Sequence, residues 1–192
     1  MEEKSEAAWR YDMQWSLIFE DVRIRPSFDR LDRNQKVLVV ASYLYRQLRL
    51  MRAFDQCYCE NLSELFIHAL DVALSTSGEP GVTQGEVYKN IPDTDEYSEQ
   101  EGSYAQNLMI ALNYLLLFVL NNDQIDLSRC VEMSLQNIDL INYEVNENYD
   151  EKLVTSKEVD VVTDLVVSAL RASRGQLFSV KDAERLASNH YL

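Results

Sequence analysis

Apolar residues recur along most of the chain at intervals of three and four positions, the spacing of one face of an α-helix. The clearest run follows Asp32, which forms an N-cap pair with Gln35. It predicts a helix to about residue 49, then a short helix around Phe54 and another that Asn61 and Glu64 begin. The predicted core positions are Val37, Leu38, Ala41, Leu44, Tyr45, Leu48, Leu62, Leu65, Phe66, Ala69, Leu70 and Ala73.

The most apolar helix pattern lies in the middle of the sequence. Ser103 with Gln106 predicts its start, and Asn121 with Asn122 predicts its end. Apolar residues cover most of its sides, so we expect it to be the central helix of the fold. The pattern after it predicts a helix from a cap at Asp126 to about residue 149.

Two further helices are predicted near the end of the chain. Thr155 with Glu158 has the spacing of a capping box, and Gly175 follows the apolar run as a terminator. Ser179 with Asp182 predicts a last short helix over 180–188.

The segment 5–22 is ambiguous between helix and strand. Its apolar residues alternate with polar ones, as in a strand, but Tyr11, Trp15, Ile18, Phe19 and Val22 also form a helical stripe. We interpret it as a helix, because a strand here would have no partner elsewhere in the chain, and its partner would have to be another subunit. Pro26 then ends the segment.

Residues 78–102 form the one long predicted connection. They contain four of the five Gly and two of the three Pro, with little apolar periodicity, and Thr83 with Glu86 predicts a short helical turn within them. Long ordered connections in compact domains are often functional.

Composition agrees with a helical protein. The chain has 192 residues, 46% of them apolar, which suits one domain with a hydrophobic core. So few Gly and Pro leave little turn chemistry for the many hairpins of an all-β fold. We therefore expect an all-α, single-domain bundle of about six or seven helices around a central helix near 103–121, with 1–192 as one helical domain.

The sequence predicts a cytoplasmic protein that does not span a membrane. No secretory signal is seen at the N-terminus, and the stretch Leu115–Leu120 is far shorter than the roughly 20 residues that cross a bilayer. Cys57, Cys59 and Cys130 are an odd number and indicate reduced thiols. We expect Cys57 and Cys59 to lie in the core or half-buried on a helix, without forming a disulfide.

The net charge of -14 is concentrated in one part of the chain. Residues 1–60 are neutral, with ten basic and ten acidic residues, whereas 61–170 carry four basic and twenty acidic residues. Such a surface repels nucleic acid, because binding a phosphate backbone needs Lys and Arg. It attracts a basic protein instead.

Two acidic clusters are candidate partner-binding surfaces. One lies in the long connection, where two tyrosines could add apolar anchors, and the other lies at a predicted helix C-terminus, where carboxylates oppose the helix dipole. The alternative is a solvated surface that only aids solubility. The candidate partner-binding residues are Asp93, Asp95, Glu96, Tyr97, Glu99, Glu101 and Tyr104 in the first cluster and Glu144, Glu147, Asp150 and Glu151 in the second.

Catalytic chemistry has little support. No P-loop, no G-x-S-x-G and no dinucleotide-binding glycine pattern occurs. His68 with Glu64 and Asp71 could form a metal-binding helix face, but the spacing is not H-E-x-x-H, and an ordinary polar face is favoured. We therefore expect no catalytic, cofactor-binding or metal-binding residue.

Three stretches resemble the YjaG-like helical proteins, which carry a domain-of-unknown-function label. They are Phe28–Glu60, the alanine-containing run AQNLMIALNYLLLFVLNN, and RCVEMSLQNIDLINYEV around Val131, Glu132 and Ser134. The resemblance covers about 28–172, so 1–27 would be an N-terminal addition. It implies an all-α bundle with no known active site.

The leading hypothesis is a noncatalytic acidic binding protein, most specifically an immunity or antitoxin-like inhibitor that caps a basic toxin such as a nuclease. One alternative is a small metal-dependent enzyme that uses His68, Glu64 and Asp71. Another is a housekeeping homo-oligomer.

Overall fold

The chain is almost entirely helical in the computed structural model, which describes residues 15–75, 78–145 and 149–192. These residues contain no strand and form ten helices. The helices are α1 (Trp15–Phe19), α2 (Arg25–Phe28), α3 (Arg33–Tyr45), α4 (Leu48–Tyr58), α5 (Leu62–Ser75), α6 (Pro80–Lys89), α7 (Gln100–Asn121), α8 (Gln124–Val145), α9 (Glu151–Leu170) and α10 (Val180–Ala187).

The all-α prediction is confirmed, but the helices are more numerous than the six or seven expected. The predicted helix over 33–49 is interrupted at Arg46 and Gln47, where the backbone amide of Gln47 donates to the carbonyl of Leu44, three residues back, in a tighter turn than that of an α-helix. The connection 78–102 contains a full helix, α6, with Pro80 in its first turn, where a missing N–H costs nothing.

The predicted central helix is confirmed as α7. It packs against α3, α4, α5, α6 and α8, and Leu112, Leu115 and Leu116 are fully buried. It ends as predicted, with Asn122 in the left-handed conformation at φ 55. By length and composition α7 could cross a membrane, but 61% of its most apolar window is buried inside the bundle, which its place in the core explains.

Two buried polar groups join helices far apart in sequence. Tyr43 of α3 donates a 2.6 Å hydrogen bond to Glu158 of α9, and Arg46 forms an ion pair with the same carboxylate. Arg46 also donates a 2.8 Å hydrogen bond to the carbonyl of His190, beyond α10. The prediction that Thr155 and Glu158 begin a helix is therefore wrong. Glu158 lies inside α9 and faces the core.

A second polar group fixes the register of α8 against α4 and α7. Gln47 donates to the carbonyl of Ser134, and Asn137 donates a 3.0 Å bond to the carbonyl of Tyr104. Asn107 in turn donates a 2.9 Å bond to Asn137. Because buried amides need partners at fixed positions, a slip of α8 along α7 would leave several of them unsatisfied.

The predicted helix caps are partly correct. Asp32 with Gln35 and Ser179 with Asp182 form complete capping boxes. Other starts were wrong, because the capping groups are different residues. At the start of α5, the amides of Leu62 and Ser63 donate to Asp55 of α4 and not to Asn61. At the start of α8, the amide of Ile125 donates to Asp123, so Asp126 is not the cap. Helix α9 begins at Glu151, after the cap Asp150.

The ambiguous N-terminal segment is helical where the structure describes it. Trp15 stacks on Phe19 in α1 at 4.0 Å between ring centroids, and Phe28 packs edge-on against both. The predicted stripe is wrong at Val22, which is 83% exposed because α1 ends at Phe19. The part of the segment before residue 15 lies outside the described residues.

The cysteines differ from their predicted burial. Cys57 and Cys59 are both exposed, because they lie at the solvent end of α4, where Cys59 adopts the left-handed conformation that ends the helix. Cys130 is buried in α8, and burial raises the pKa of its thiol far above the usual range. All three thiols are free.

Candidate partner-binding groove

An open groove lies where α4 ends, α5 begins and α6 ends, closed on its remaining side by the segment 90–99. Its volume is about 440 Å³, within the range of ligand-binding clefts. Apolar side chains and the backbone turn at the end of α6 form its back, and acidic side chains stand around it. Its lining residues are Phe54, Glu60, Asn61, Leu62, Leu65, Glu86, Lys89, Asn90, Ile91, Pro92, Asp93, Glu96 and Tyr97.

Two aromatic rings, Phe54 and Tyr97, form one wall of the groove, and Tyr58 supports them from behind the lining. Phe54 lies 5.1 Å from both Tyr58 and Tyr97 between ring centroids, and the two tyrosine rings are 4.9 Å apart and nearly perpendicular. Edge-on packing of this kind contributes about 0.5 to 1.5 kcal/mol per pair beyond burial. The wall therefore attaches the segment 90–99 firmly to α4.

Hydrogen bonds hold the segment 90–99, which carries the acids Asp93, Asp95, Glu96 and Glu99, against the bundle at both ends. The amide of Glu99 donates a 2.8 Å bond to the Tyr58 hydroxyl, and Gln106 of α7 donates a 2.8 Å bond to the carbonyl of Pro92. Gly102 lies so close to the carbonyl oxygen of Tyr97 that an added Cβ would sit 2.0 Å from it. The segment is thus an ordered surface with a fixed arrangement of carboxylates.

Four carboxylates surround the groove: those of Glu60, Glu86, Asp93 and Glu96. All four residues are exposed. Across residues 15–75, 78–145 and 149–192, no Lys or Arg forms an ion pair with any of them. Lys89 is the one cation among the described lining residues, so the rim carries a net charge of three negative units.

Desolvation and the nearby carboxylates together raise pKa values beside the groove. Partial desolvation and then the carboxylates of Glu60 and Glu96 raise the pKa of Tyr97, whose hydroxyl donates a 3.4 Å bond to Glu60. Partial desolvation and then Glu101 and Glu99 raise the pKa of Cys57 on α4. Charge from the segment 93–101 therefore reaches across to the end of α4.

The first predicted cluster is brought together only in part. Asp93, Glu96 and Tyr97 line the groove, whereas Asp95 and Glu99 are exposed beside it. Glu101 is half-buried in the first turn of α7. Tyr104 is 7% exposed and packs in the core, so the prediction that it is a surface anchor is wrong. The reason is that residue 104 lies one helical turn before Leu108, on the side of α7 that faces the core.

The second predicted cluster does not join the groove. Glu144 belongs to α8, and Glu147 lies outside the described residues. Asp150 accepts bonds from the amides of Lys152 and Leu153 at the start of α9, and Glu151 follows in its first turn. These two acids stand at the positive end of a helix dipole, so the expected electrostatic cost at a helix C-terminus is wrong for them.

Sequence reasoning missed half of the groove. Leu62 and Leu65 were predicted to be core residues, but they are half-buried and line the groove, as does Ile91. Glu60 is brought to the rim by the turn between α4 and α5. Only Glu86, an acid near Asp93 and Glu96 in the sequence, carried a signal, because it belongs to the same acidic stretch.

The possible metal-binding face around His68 is not assembled. His68 is exposed on α5, and Asp71 accepts a 3.0 Å bond from the amide of Val180, where it begins α10. Among the described residues, no three His, Cys, Asp or Glu side chains come close enough to hold a metal ion. Asp71 thus contributes to the fold by joining α5 to α10.

Comparison with known proteins identifies a fold. A DUF416 family protein from Shewanella baltica OS155 superimposes with a TM-score of 0.67, covering 85% of this chain and 91% of that one. The chain shares the fold of that protein. Sequence identity is 13%, so the likeness is one of architecture. No protein-family model matches the chain, and no curated protein does.

Proposed function

We propose that this chain is a noncatalytic binding protein and that it contacts a basic protein at the acidic groove. The observation that carries the proposal is the convergence of acids from three parts of the chain. Glu60, Glu86 and the pair Asp93 and Glu96 surround one ordered groove, and no cation of the described residues neutralises them by an ion pair. Carboxylates held this way are ready to pair with a partner's Lys and Arg.

The more specific proposal is an immunity or antitoxin-like inhibitor that caps a basic toxin, such as a nuclease. The net charge of -14 supports it, because the cleft of a nucleic-acid enzyme is cationic and an acidic protein is attracted to it at long range. The same charge disfavours direct binding of nucleic acid. A cytoplasmic location with reduced thiols fits this role.

The proposed family is that of the YjaG-like helical proteins. The sequence resemblance over 28–172 and the architecture shared with a DUF416 family protein support this membership. A family with a domain-of-unknown-function label supplies no site residues. The proposed function therefore rests on the groove of this chain.

The test is recovery of the partner from the native host with charge-reversed variants. The tagged full chain is compared with Glu86→Lys/Glu96→Lys in the groove and with Glu20→Lys/Asp164→Lys outside it. The two doubles have the same net charge, and all four positions are exposed. We expect the wild type and the outside variant to recover a basic protein at low salt and the groove variant to lose it.

Binding kinetics with the recovered partner then distinguish attraction by the groove acids from attraction by the net charge of the whole protein. The association rate of the wild type should fall steeply with salt, and the groove variant should associate more slowly with a weaker salt dependence. If no basic protein is recovered, or if both doubles bind with equal kinetics, the acidic surface only aids solubility and the proposal fails.

A further inference from the structure

We infer that the groove receives a short extended segment of its partner in which apolar side chains alternate with basic ones. The inference rests on the proposed function and adds the mode of recognition to it. A flat contact between two domains would use only the rim acids. The groove offers an apolar back as well, and both parts must be satisfied by the same occupant.

The apolar back is only half covered by the protein itself. Leu62, Leu65, Ile91 and Tyr97 are half-buried, and they come from α5 and from the segment 90–99. Each keeps part of its surface in contact with water. An apolar side chain that entered the groove would remove that surface from water, which favours binding.

The carboxylates stand on different sides of this back. Glu60 follows α4, Glu86 belongs to α6, and Asp93 and Glu96 belong to the segment that closes the groove. A chain lying across the back therefore meets acids on more than one side. Successive side chains of an extended chain point in opposite directions, so alternation lets apolar residues face the back while basic residues reach the rim.

The shape of the groove favours a segment over a small cation. It is an open cleft of about 440 Å³, large enough for several side chains, and its aromatic wall is held rigid by the contacts among Phe54, Tyr58 and Tyr97. A small polycation would satisfy the rim but leave the apolar back wet. Because the segment 90–99 is already ordered, binding does not lose affinity to the entropy cost of ordering it.

The experiment measures binding of a short fluorescein-labelled peptide with alternating Arg and Leu by fluorescence anisotropy, with the full chain as receptor. The comparison peptide has Ser in place of every Leu and the same charge. We expect the Arg/Leu peptide to bind the wild type about tenfold more tightly. Glu86→Lys/Glu96→Lys should weaken both peptides, and Glu20→Lys/Asp164→Lys should weaken them much less.

A second variant tests the apolar back separately from charge. Ile91→Ser removes an apolar lining group outside the helices, and Val82→Ser removes one that is 64% exposed on α6 and does not line the groove. Ile91→Ser should reduce the preference for the Arg/Leu peptide while leaving the Arg/Ser peptide unchanged, and Val82→Ser should change neither. Thermal melts confirm that both variants fold.

Equal binding of the two peptides to the wild type overturns the inference, and this comparison needs no variant. If the peptides bind equally while the Glu86→Lys/Glu96→Lys variant still loses the basic protein partner, the proposed function stands and only the recognition mode is wrong. If the Glu86→Lys/Glu96→Lys variant retains the protein partner and both peptides, both proposals fail.

Discussion

Arg46 and Glu158 carry opposite charges inside the bundle, where each side chain is about 5% exposed. Their attraction offsets the loss of water only because other polar groups complete the arrangement: Tyr43 donates to the carboxylate and the guanidinium donates to the His190 carbonyl. Burial and then the Glu158 charge raise the pKa of Tyr43 well above its usual value. The tyrosine therefore keeps its proton at neutral pH and remains a hydrogen-bond donor to Glu158.

Removing one partner of this pair should be strongly destabilising. Arg46→Met leaves an uncompensated buried carboxylate, and we expect a loss of about 3 to 5 kcal/mol in the free energy of unfolding, measured by urea titration. Arg23→Met is the control, since Arg23 is half exposed and water screens its pairs with Asp21 and Asp160, so its loss should be much smaller. Equal losses in the two variants would contradict the role given to Arg46.

The cap of α10 should make stability depend on pH. Hydrogen bonds from the Ser179 amide and hydroxyl hold the pKa of Asp182 below its ordinary value of 3.8. A lowered pKa in the folded state stabilises the protein above the unfolded pKa, and this contribution is lost as pH falls through the folded pKa. Urea titrations between about pH 3 and 6 should therefore show a shallower acid decline for Asp182→Asn than for the wild type.

Elements were predictable where their capping groups are local in sequence. Asp32 with Gln35 and Ser179 with Asp182 interact within one helical turn, so their sequence pattern is sufficient. The start of α5 is capped by Asp55, seven residues before Leu62, and that contact exists only after α4 has turned back. A sequence pattern three residues long cannot report it.

The same limit applies to charged residues that become buried and to the groove. Glu158 has capping-box spacing from Thr155, yet its true partner, Arg46, is 112 residues away. The acids of the groove were predictable as exposed charges one by one. Their convergence with Glu60 was not, and neither was the partial exposure of Leu62 and Leu65, because both depend on how α4, α5 and α6 pack.

Gly102 links the start of α7 to the acidic segment, and its substitution tests that link. Gly102→Ala places a Cβ 2.0 Å from the Tyr97 carbonyl, so the backbone must shift, and we expect a cost of about 1 to 3 kcal/mol. Gly85→Ala in α6 is the control. Its added Cβ meets nothing within 4 Å, so it should stabilise by up to about 1 kcal/mol. Denaturant melts giving both variants the same sign would contradict this account.

The central position of α7 predicts unequal costs for the same substitution along one helix. Leu112→Ala removes a fully buried side chain and should cost on the order of 2 to 5 kcal/mol. Leu120→Ala, on the same helix, removes a side chain that is 45% exposed and should cost much less. Both are measured by urea unfolding, and similar costs would place α7 outside the core.

The molecule as a whole arranges charge along its central helix. The 22 residues of α7 span about 33 Å. The acidic segment adjoins its N-terminal end, where the helix dipole is positive, with Glu99 at the cap and Glu101 in the first turn. At the other end Arg33 donates to the carbonyl of Val119, where the dipole is negative. The dipole of α7 thus partly compensates the acids that stand beside the groove.

That compensation is incomplete, so repulsion among the rim carboxylates should lower the stability of the isolated protein. A basic partner would remove this repulsion by pairing with the carboxylates. Glu86→Lys/Glu96→Lys replaces two negative charges with two positive ones, which changes the net charge from -14 to about -10, and relieves repulsion among carboxylates that lack ion pairs. We expect this variant to be more stable than the wild type at low salt, by on the order of 0.5 kcal/mol, while it loses the basic partner. Thermal unfolding of the isolated proteins measures the difference.

Two comparisons decide whether the gain belongs to the groove. Glu20→Lys/Asp164→Lys has the same net charge but reverses acids outside the groove, and Asp164 lies 3.7 Å from His190, so this variant should gain less or lose stability. Raising the salt concentration to about 1 M shortens the screening length to about 3 Å and should remove the advantage of the groove variant. If instead the groove variant melts below the wild type at low salt, the rim acids stabilise the folded chain by themselves, and their concentration around the groove needs no partner to explain it.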